Sequence, residues 1–139
     1  RRRPLVKPGR IVCLGSPLRG SMAADQLARL GDLGAAVLGQ TGREALLGQL
    51  MQRYDGDREV GVIAGTMSVG PATMLGILPE PNDGTIAVVE TELPGIKEHM
   101  SYPVTHTGLL ISPEVASQTA FFLRHGMFNR QGSADAQIQ

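Results

Sequence analysis

The sequence predicts an α/β fold built around a mainly parallel sheet with flanking helices. Short apolar runs rich in β-branched residues recur along the chain, and segments with helical spacing alternate with them. Strands that alternate with helices usually pair in parallel within one sheet. The 139 residues amount to one domain or part of one, and 42 % hydrophobic residues suffice for a buried core.

Four segments are predicted as strands because each is a short apolar run bounded by turn residues. In chain order they cover residues 10–14, 59–65, 85–90 and 100–104. Such a small sheet leaves an exposed edge, which is a liability unless something covers it. We therefore expect the sheet to be completed by an upstream half of a longer protein or by another chain.

Helices are predicted in two regions. Two or three short ones are expected between Met22 and Tyr54, where Leu and Val residues follow helical spacing between glycines. A final amphipathic helix is expected over Pro113–His125, since proline suits a first helical turn and Gly126 suits a C-terminal cap. Its predicted apolar face consists of Val115, Thr119, Phe122 and Leu123.

Composition and charge narrow the classes of function. The formal net charge is +0, which argues against nucleic acid as the main partner because phosphate binding needs a basic surplus. No apolar run approaches the ~20 residues needed to cross a bilayer, so no integral membrane segment is expected. The lone Cys13 is expected to be a buried structural thiol, and the cytoplasm is the favoured compartment. The His spacing predicts no metal site, and we expect no cofactor.

Asp83 and His106 are the candidate catalytic residues. Asp83 lies in the turn sequence Asn82-Asp83-Gly84, and His106 follows the last predicted strand, 23 residues later in the chain. Functional groups of open parallel sheets gather at the loops beyond the carboxyl ends of the strands. A carboxylate there can hold an imidazole in one tautomer and stabilise its protonated form. We therefore expect the two side chains to lie within hydrogen-bonding distance.

Other residues compete for the same roles. Glu90 and Glu92 are rival acids, although their position in or just after a predicted strand makes them less suitable. His99 is the rival base and is expected in a surface loop. His125 is better explained as a cation at the negative end of the last helix. Taken singly, Asp83 and His106 are also compatible with a plain turn and a structural histidine.

A serine nucleophile is harder to find in the sequence. Ser68 follows a strand in an x-x-S-x-G pattern, but Gly70-Pro71 is a poor start for the helix that such an elbow requires. Ser16 and Ser21 follow the first strand without the elbow pattern. The sequence therefore predicts that the nucleophile lies outside this chain.

Three motifs in order resemble the α/β-hydrolase superfamily, in particular its lipase- and esterase-like members. Leu14-Gly15-Ser16-Pro17-Leu18-Arg19-Gly20-Ser21 is similar to the L-G-[TS]-P-x-x-G-S signature that follows the nucleophile helix. Asn82-Asp83-Gly84 and His106-Thr107-Gly108-Leu109-Leu110 resemble the acid and histidine loops of the family. The G-x-S-x-G elbow and the upstream H-G oxyanion segment of the family are both absent.

The resemblance implies a domain plan and an activity. It covers residues 10–128, which would be the C-terminal part of an α/β-hydrolase domain. Composition alone predicts a basic N-terminal segment over 1–9 and a polar tail over 129–139. Residues 22–54 would form cap or lid helices over an apolar acyl pocket, and Ser16 and Pro17 would shape the rim of the site. Asp83 and His106 would be the acid and base of a Ser-His-Asp triad, with the serine upstream.

Two classes of function follow from these observations. The first is hydrolysis of a carboxylic ester with an apolar acyl group, although thioester hydrolysis or acyl transfer would use the same residues. The second is a non-catalytic α/β module that binds a partner or scaffolds an assembly, in which the turn and the histidine are structural. An upstream strand–G-x-S-x-G–helix unit would favour the first.

Overall fold

A computed structural model describes residues 8–20, 52–69, 71–74 and 76–131 of the chain. This part of the protein forms a three-stranded sheet of β1 (Ile11–Leu14), β2 (Val60–Gly65) and β3 (Glu98–Tyr102). The strands lie in the order β1-β2-β3, and both neighbouring pairs are parallel. The coarse α/β class predicted from the alternation of apolar runs and helical segments is therefore confirmed.

The strand register brings the three carboxyl ends to one edge of the sheet. Leu14 of β1 lies opposite Ile63 of β2, and Gly65 of β2 lies opposite Tyr102 of β3. All six residues of the central strand β2 are buried. Burial on both faces explains why β2 has the continuous apolar sequence typical of parallel sheets instead of strict alternation.

In the described part of the chain, four helices accompany the sheet: α1 (Pro71–Met74), α2 (Val88–Thr91), α3 (Gly108–Ile111) and α4 (Pro113–His125). The predicted bounds of α4 are confirmed. Ser112 caps its N-terminus by accepting a hydrogen bond from the backbone N–H of Val115 at 3.3 Å. Gly126 ends it with φ +74°, and its N–H donates to the Phe122 carbonyl.

The main core lies between the sheet and α4. Ile63, Leu109, Val115, Phe122 and Phe128 form one buried cluster, and the rings of Phe122 and Phe128 lie 4.9 Å apart. Buried Gln118 holds the chain after α4, because its side-chain amide bonds both the N–H and the carbonyl of Asn129.

One member of the predicted apolar face of α4 is placed differently. Leu123 is 44 % exposed, and buried Gln118 takes part in the inward face instead. A polar residue is tolerated there because both ends of its amide are hydrogen-bonded.

The strand predicted over residues 85–90 is wrong. An isolated antiparallel bridge joins Asn82 to Ala87, and the chain then enters the one-turn helix α2. The backbone N–H groups here are taken by nearby carboxylates: Asp83 accepts from Thr85 and Ile86, and Glu90 accepts from Ala87. Local side-chain acceptors compete with a sheet ladder for the same donors.

The bounds of the remaining strands shift by small amounts. β1 and β2 each begin one residue later than predicted, while the last strand occupies 98–102 instead of 100–104. The shift places His99 inside β3, so the prediction that it lies in a surface loop is wrong. The cap or lid helices predicted over 22–54 lie outside the described residues, except for 52–54, which are not helical.

Other regional predictions also fall beyond the described part of the chain. These are residues 1–7 of the basic segment and 132–139 of the polar tail. Within the described ranges, no helix has the length and apolar character needed to cross a membrane.

Candidate active site

The candidate site lies at the edge where the three strands end. His106 lies in the loop between β3 and α3, and Asp83 lies in the loop between α1 and α2. A backbone hydrogen bond of 2.9 Å from the His106 N–H to the Asp83 carbonyl joins the two loops directly. The two side chains therefore start from backbones that are already fixed beside each other.

Asp83 is almost completely buried, and both of its carboxylate oxygens are engaged. Oδ1 accepts hydrogen bonds from the N–H groups of Thr85 at 3.0 Å and Ile86 at 2.7 Å. Oδ2 lies 2.7 Å from His106 Nδ1. The contact expected between Asp83 and His106 is therefore present, and the carboxylate is held in one orientation by three donors.

The hydrogen bond defines the tautomer of His106. An ionised carboxylate can only accept, so Nδ1 must carry the shared proton. In the neutral ring, Nε2 then has a free lone pair, which is the atom a general base uses. The His106 side chain is 40 % exposed, so a reactant can approach the ring.

Asp83 also changes the proton affinity of this ring. The hydrogen bond from Nδ1 to Asp83 raises the pKa of His106 above its ordinary value, against the opposing effect of partial burial. The charge of the Asp83 carboxylate raises it further. The protonated imidazolium, which forms when a base accepts a proton, is therefore stabilised in place.

Asn82 supports the acid from the preceding position. It is buried, and its Oδ1 accepts from the Gly84 N–H at 2.9 Å and from the Thr73 hydroxyl at 3.2 Å. Its Nδ2 donates to the Pro79 carbonyl at 3.3 Å. Asn82 thus links the turn that carries Asp83 to α1, although its role in the sequence was predicted only as part of a turn.

His99, the rival base, is engaged elsewhere. Its Nε2 lies 2.7 Å from Thr91 Oγ1, and the Thr91 hydroxyl donates its only proton to the Val88 carbonyl. His99 must therefore donate from Nε2, which leaves that nitrogen without a lone pair. Burial lowers the pKa of His99, although the charge of Glu92 opposes the change. The two histidines therefore differ in both tautomer and direction of pKa shift.

The rival acids, in and just after α2, have contacts of their own. The buried carboxylate of Glu90 accepts the Ala87 N–H at 2.6 Å, which makes it a backbone cap of α2. Glu92 is exposed and acts on His99 through its charge. Of the three candidate acids, Asp83 is the one hydrogen-bonded to His106.

None of the serines in the described ranges is hydrogen-bonded to His106. Ser68 instead donates its hydroxyl proton to the Asn82 carbonyl at 3.2 Å, and Ser16 contacts the side chain of Cys13. Ser21 lies outside the described residues. Burial raises the pKa of the Cys13 thiol, which disfavours its reactive thiolate form.

A cluster of side chains that could bind a metal ion is absent from the described residues. The described residues contain no group of three or more His, Cys, Asp or Glu side chains arranged to hold an ion. The Asp83–His106 pair itself offers an oriented imidazole that can accept or donate a proton.

Comparison with known proteins identifies no relative of this chain. No protein-family model, curated protein or solved structure matches the chain.

One residue at the site was assigned no role by the sequence patterns. Gly15 follows β1 with φ +55° and lies directly against the Asp83–His106 pair. A glycine immediately after a predicted strand was the available signal, since it marks a close backbone approach or a left-handed conformation.

Proposed function

We propose that this chain supplies the acid and base of a serine ester hydrolase whose nucleophile lies upstream of the sequence. The observation that carries the proposal is the geometry of Asp83. Two backbone N–H groups hold one of its oxygens, and the other is 2.7 Å from His106 Nδ1. A partly exposed imidazole oriented by a buried carboxylate has the arrangement that a general base needs.

The proposed reaction proceeds in two proton-balanced stages. As the serine Oγ attacks the ester carbonyl carbon, its proton moves to His106 Nε2 and the carbonyl electrons move to oxygen. Collapse of the tetrahedral intermediate expels the alcohol, which takes the proton from His106 and leaves an acyl-serine. Water then attacks with the same assistance from His106, releasing the acid and restoring the serine.

Exposed apolar side chains in the segments next to the His106 loop support an apolar acyl group. The Met67 N–H donates to the Val104 carbonyl, so this segment runs beside the loop that carries His106. Met67 is about half exposed, and Val69 is largely exposed, as are Leu110 and Ile111 at the end of α3. Exposed apolar residues around a polar site are typical of a surface that binds an apolar group.

The test is hydrolysis of p-nitrophenyl butyrate and octanoate by the full-length protein. We expect saturable release of p-nitrophenol, with an initial burst if the acyl-serine accumulates. Bovine serum albumin at equal concentration controls for non-specific hydrolysis. Absence of hydrolysis by a folded full-length protein, across acyl lengths, would favour the non-catalytic binding module instead.

A further inference from the structure

Gly15 occupies a backbone position that the sheet itself fixes. Its N–H donates to the Ile63 carbonyl at 2.8 Å, which continues the β1–β2 pairing beyond the end of β1. Its φ of +55° lies in the left-handed region, where residues with a Cβ are strained. The sheet therefore holds the Gly15 backbone at this point with little freedom to move away.

The space beside Gly15 is filled by the two atoms of the catalytic hydrogen bond. A Cβ built on Gly15 would lie 3.1 Å from Asp83 Oδ2 and 3.1 Å from His106 Nδ1. It would also lie 2.7 Å from Leu109 Cδ1, which is closer than packed carbon atoms approach. Gly15 thus faces the donor and the acceptor together, and a methyl group on it would press on both atoms and on Leu109.

We propose that Gly15 is a positioning residue whose bare backbone covers one side of the Asp83–His106 hydrogen bond. Covering this side keeps water from competing for Asp83 Oδ2 and His106 Nδ1, and it limits rotation of the imidazole. The inference rests on the proposed function for its catalytic consequence. The effect on the hydrogen bond itself is a property of the pair whether or not the protein hydrolyses esters.

The test compares Gly15→Ala with Gly76→Ala in the full-length protein. Gly76 has a similar φ of +63°, but a Cβ there would meet nothing within 4 Å, so this variant shares the backbone strain without the contact. The readouts are the ¹H–¹⁵N signal of the His106 Nδ1 proton, the His106 titration by NMR, and kcat and KM for p-nitrophenyl butyrate.

In Gly15→Ala we expect the Nδ1 proton to exchange faster and the pKa of His106 to fall towards its ordinary value. We also expect kcat to fall on the order of 10²-fold, since small misplacement of a catalytic group costs about that much. KM should stay within about threefold, because the lost interaction belongs to the transition state. Gly76→Ala should match the wild type in all these readouts.

An unchanged Nδ1 signal, titration and kcat in folded Gly15→Ala would overturn the proposal. If Gly15→Ala does not fold, exchange of the Nδ1 proton in the wild-type protein decides. Slow exchange with water supports the covering role, and exchange as fast as in a free imidazole overturns it. If the wild-type protein hydrolyses no ester but Gly15→Ala still changes the titration of His106, the proposed hydrolase activity is refuted. The proposed effect of Gly15 on the hydrogen bond is then supported.

Discussion

Replacement of His106 by alanine is expected to lower kcat for p-nitrophenyl ester hydrolysis by on the order of 10⁴-fold or more in the full-length protein. Without the imidazole, no group at this site can take the serine proton as the bond to the carbonyl forms. Because the side chain is 40 % exposed, the alanine leaves a space open to solvent. Added imidazole should therefore restore part of the lost activity.

His99→Ala is the matched control for this variant. Both histidines are partly buried, and each has one ring nitrogen in a 2.7 Å hydrogen bond. Loss of His99 leaves Thr91 still donating to the Val88 carbonyl, so no buried donor is orphaned. We expect its kcat to stay within about threefold of the wild type. Activity that survives His106→Ala but not His99→Ala would reverse the assignment of the base.

Asp83→Asn is expected to lower kcat on the order of 10³- to 10⁴-fold while preserving the fold. Asparagine can keep an oxygen towards the N–H groups of Thr85 and Ile86, which places its NH₂ group against His106 Nδ1. A donor there favours the tautomer with the proton on Nε2, and Nε2 then has no lone pair for the serine proton. Asparagine has nearly the same shape as aspartate and keeps the hydrogen bonds from the two backbone N–H groups, so the loss of stability should be small.

The pH dependence of the same variant has a defined sign. His106 acts as a base only when neutral, so the fall of kcat/KM on the acid side follows its pKa in the free enzyme. Asp83 raises the pKa of His106, which places this limb above the ordinary histidine value of about 6.5. In Asp83→Asn, the acid-side fall of the remaining kcat/KM should move to lower pH. If this fall stays at the same pH in Asp83→Asn, the effect of Asp83 on the pKa of His106 is contradicted.

Glu92→Gln is the control for the acid. Glu92 was one of the alternative candidates for the catalytic acid in the sequence analysis, and its charge raises the pKa of His99. Its replacement should leave the acid limb and kcat unchanged and should lower the pKa of His99 slightly. NMR titration can check both histidines at once, since His106 should titrate above the ordinary value and His99 below it.

The raised pKa of His106 also links protonation to stability. In the folded state His106 binds its proton more tightly than in the unfolded chain. The Asp83–His106 pair therefore adds most to the free energy of unfolding at pH values below the pKa of His106 in the unfolded chain. This contribution is lost as pH rises through the folded pKa. The most stable form of the pair is therefore the protonated one, whereas catalysis begins from the neutral one.

The sequence predicted the contact between Asp83 and His106 from their placement in loops near strand ends, and the fold retains this reason for one of the two. His106 follows β3 at the edge where the parallel strands end, whereas Asp83 lies between the short helices α1 and α2. The strand predicted at 85–90 failed because β-branched composition does not reveal where backbone N–H groups go. The carboxylates of Asp83 and Glu90 take those donors, and this depends on a folded loop.

His99 and Gly15 show a second limit of the sequence patterns. Charged neighbours indicated a loop for His99, but pairing with β2 overrode this local signal and made it part of an edge strand. For Gly15, the pattern indicated a turn without indicating what faces it. The proximity of Gly15 to two residues 68 and 91 positions away arises only when three loops meet.

Covalent labelling tests the central claim most directly, because it asks whether His106 activates a serine. The full-length protein and its His106→Ala, Asp83→Asn and His99→Ala variants would be treated with a fluorophosphonate, digested and mapped by mass spectrometry. We expect one labelled serine N-terminal to this chain's Arg1 in the wild type and in His99→Ala, with labelling strongly slowed in His106→Ala and Asp83→Asn. No labelled serine, or labelling at the same rate in all four proteins, would contradict the account.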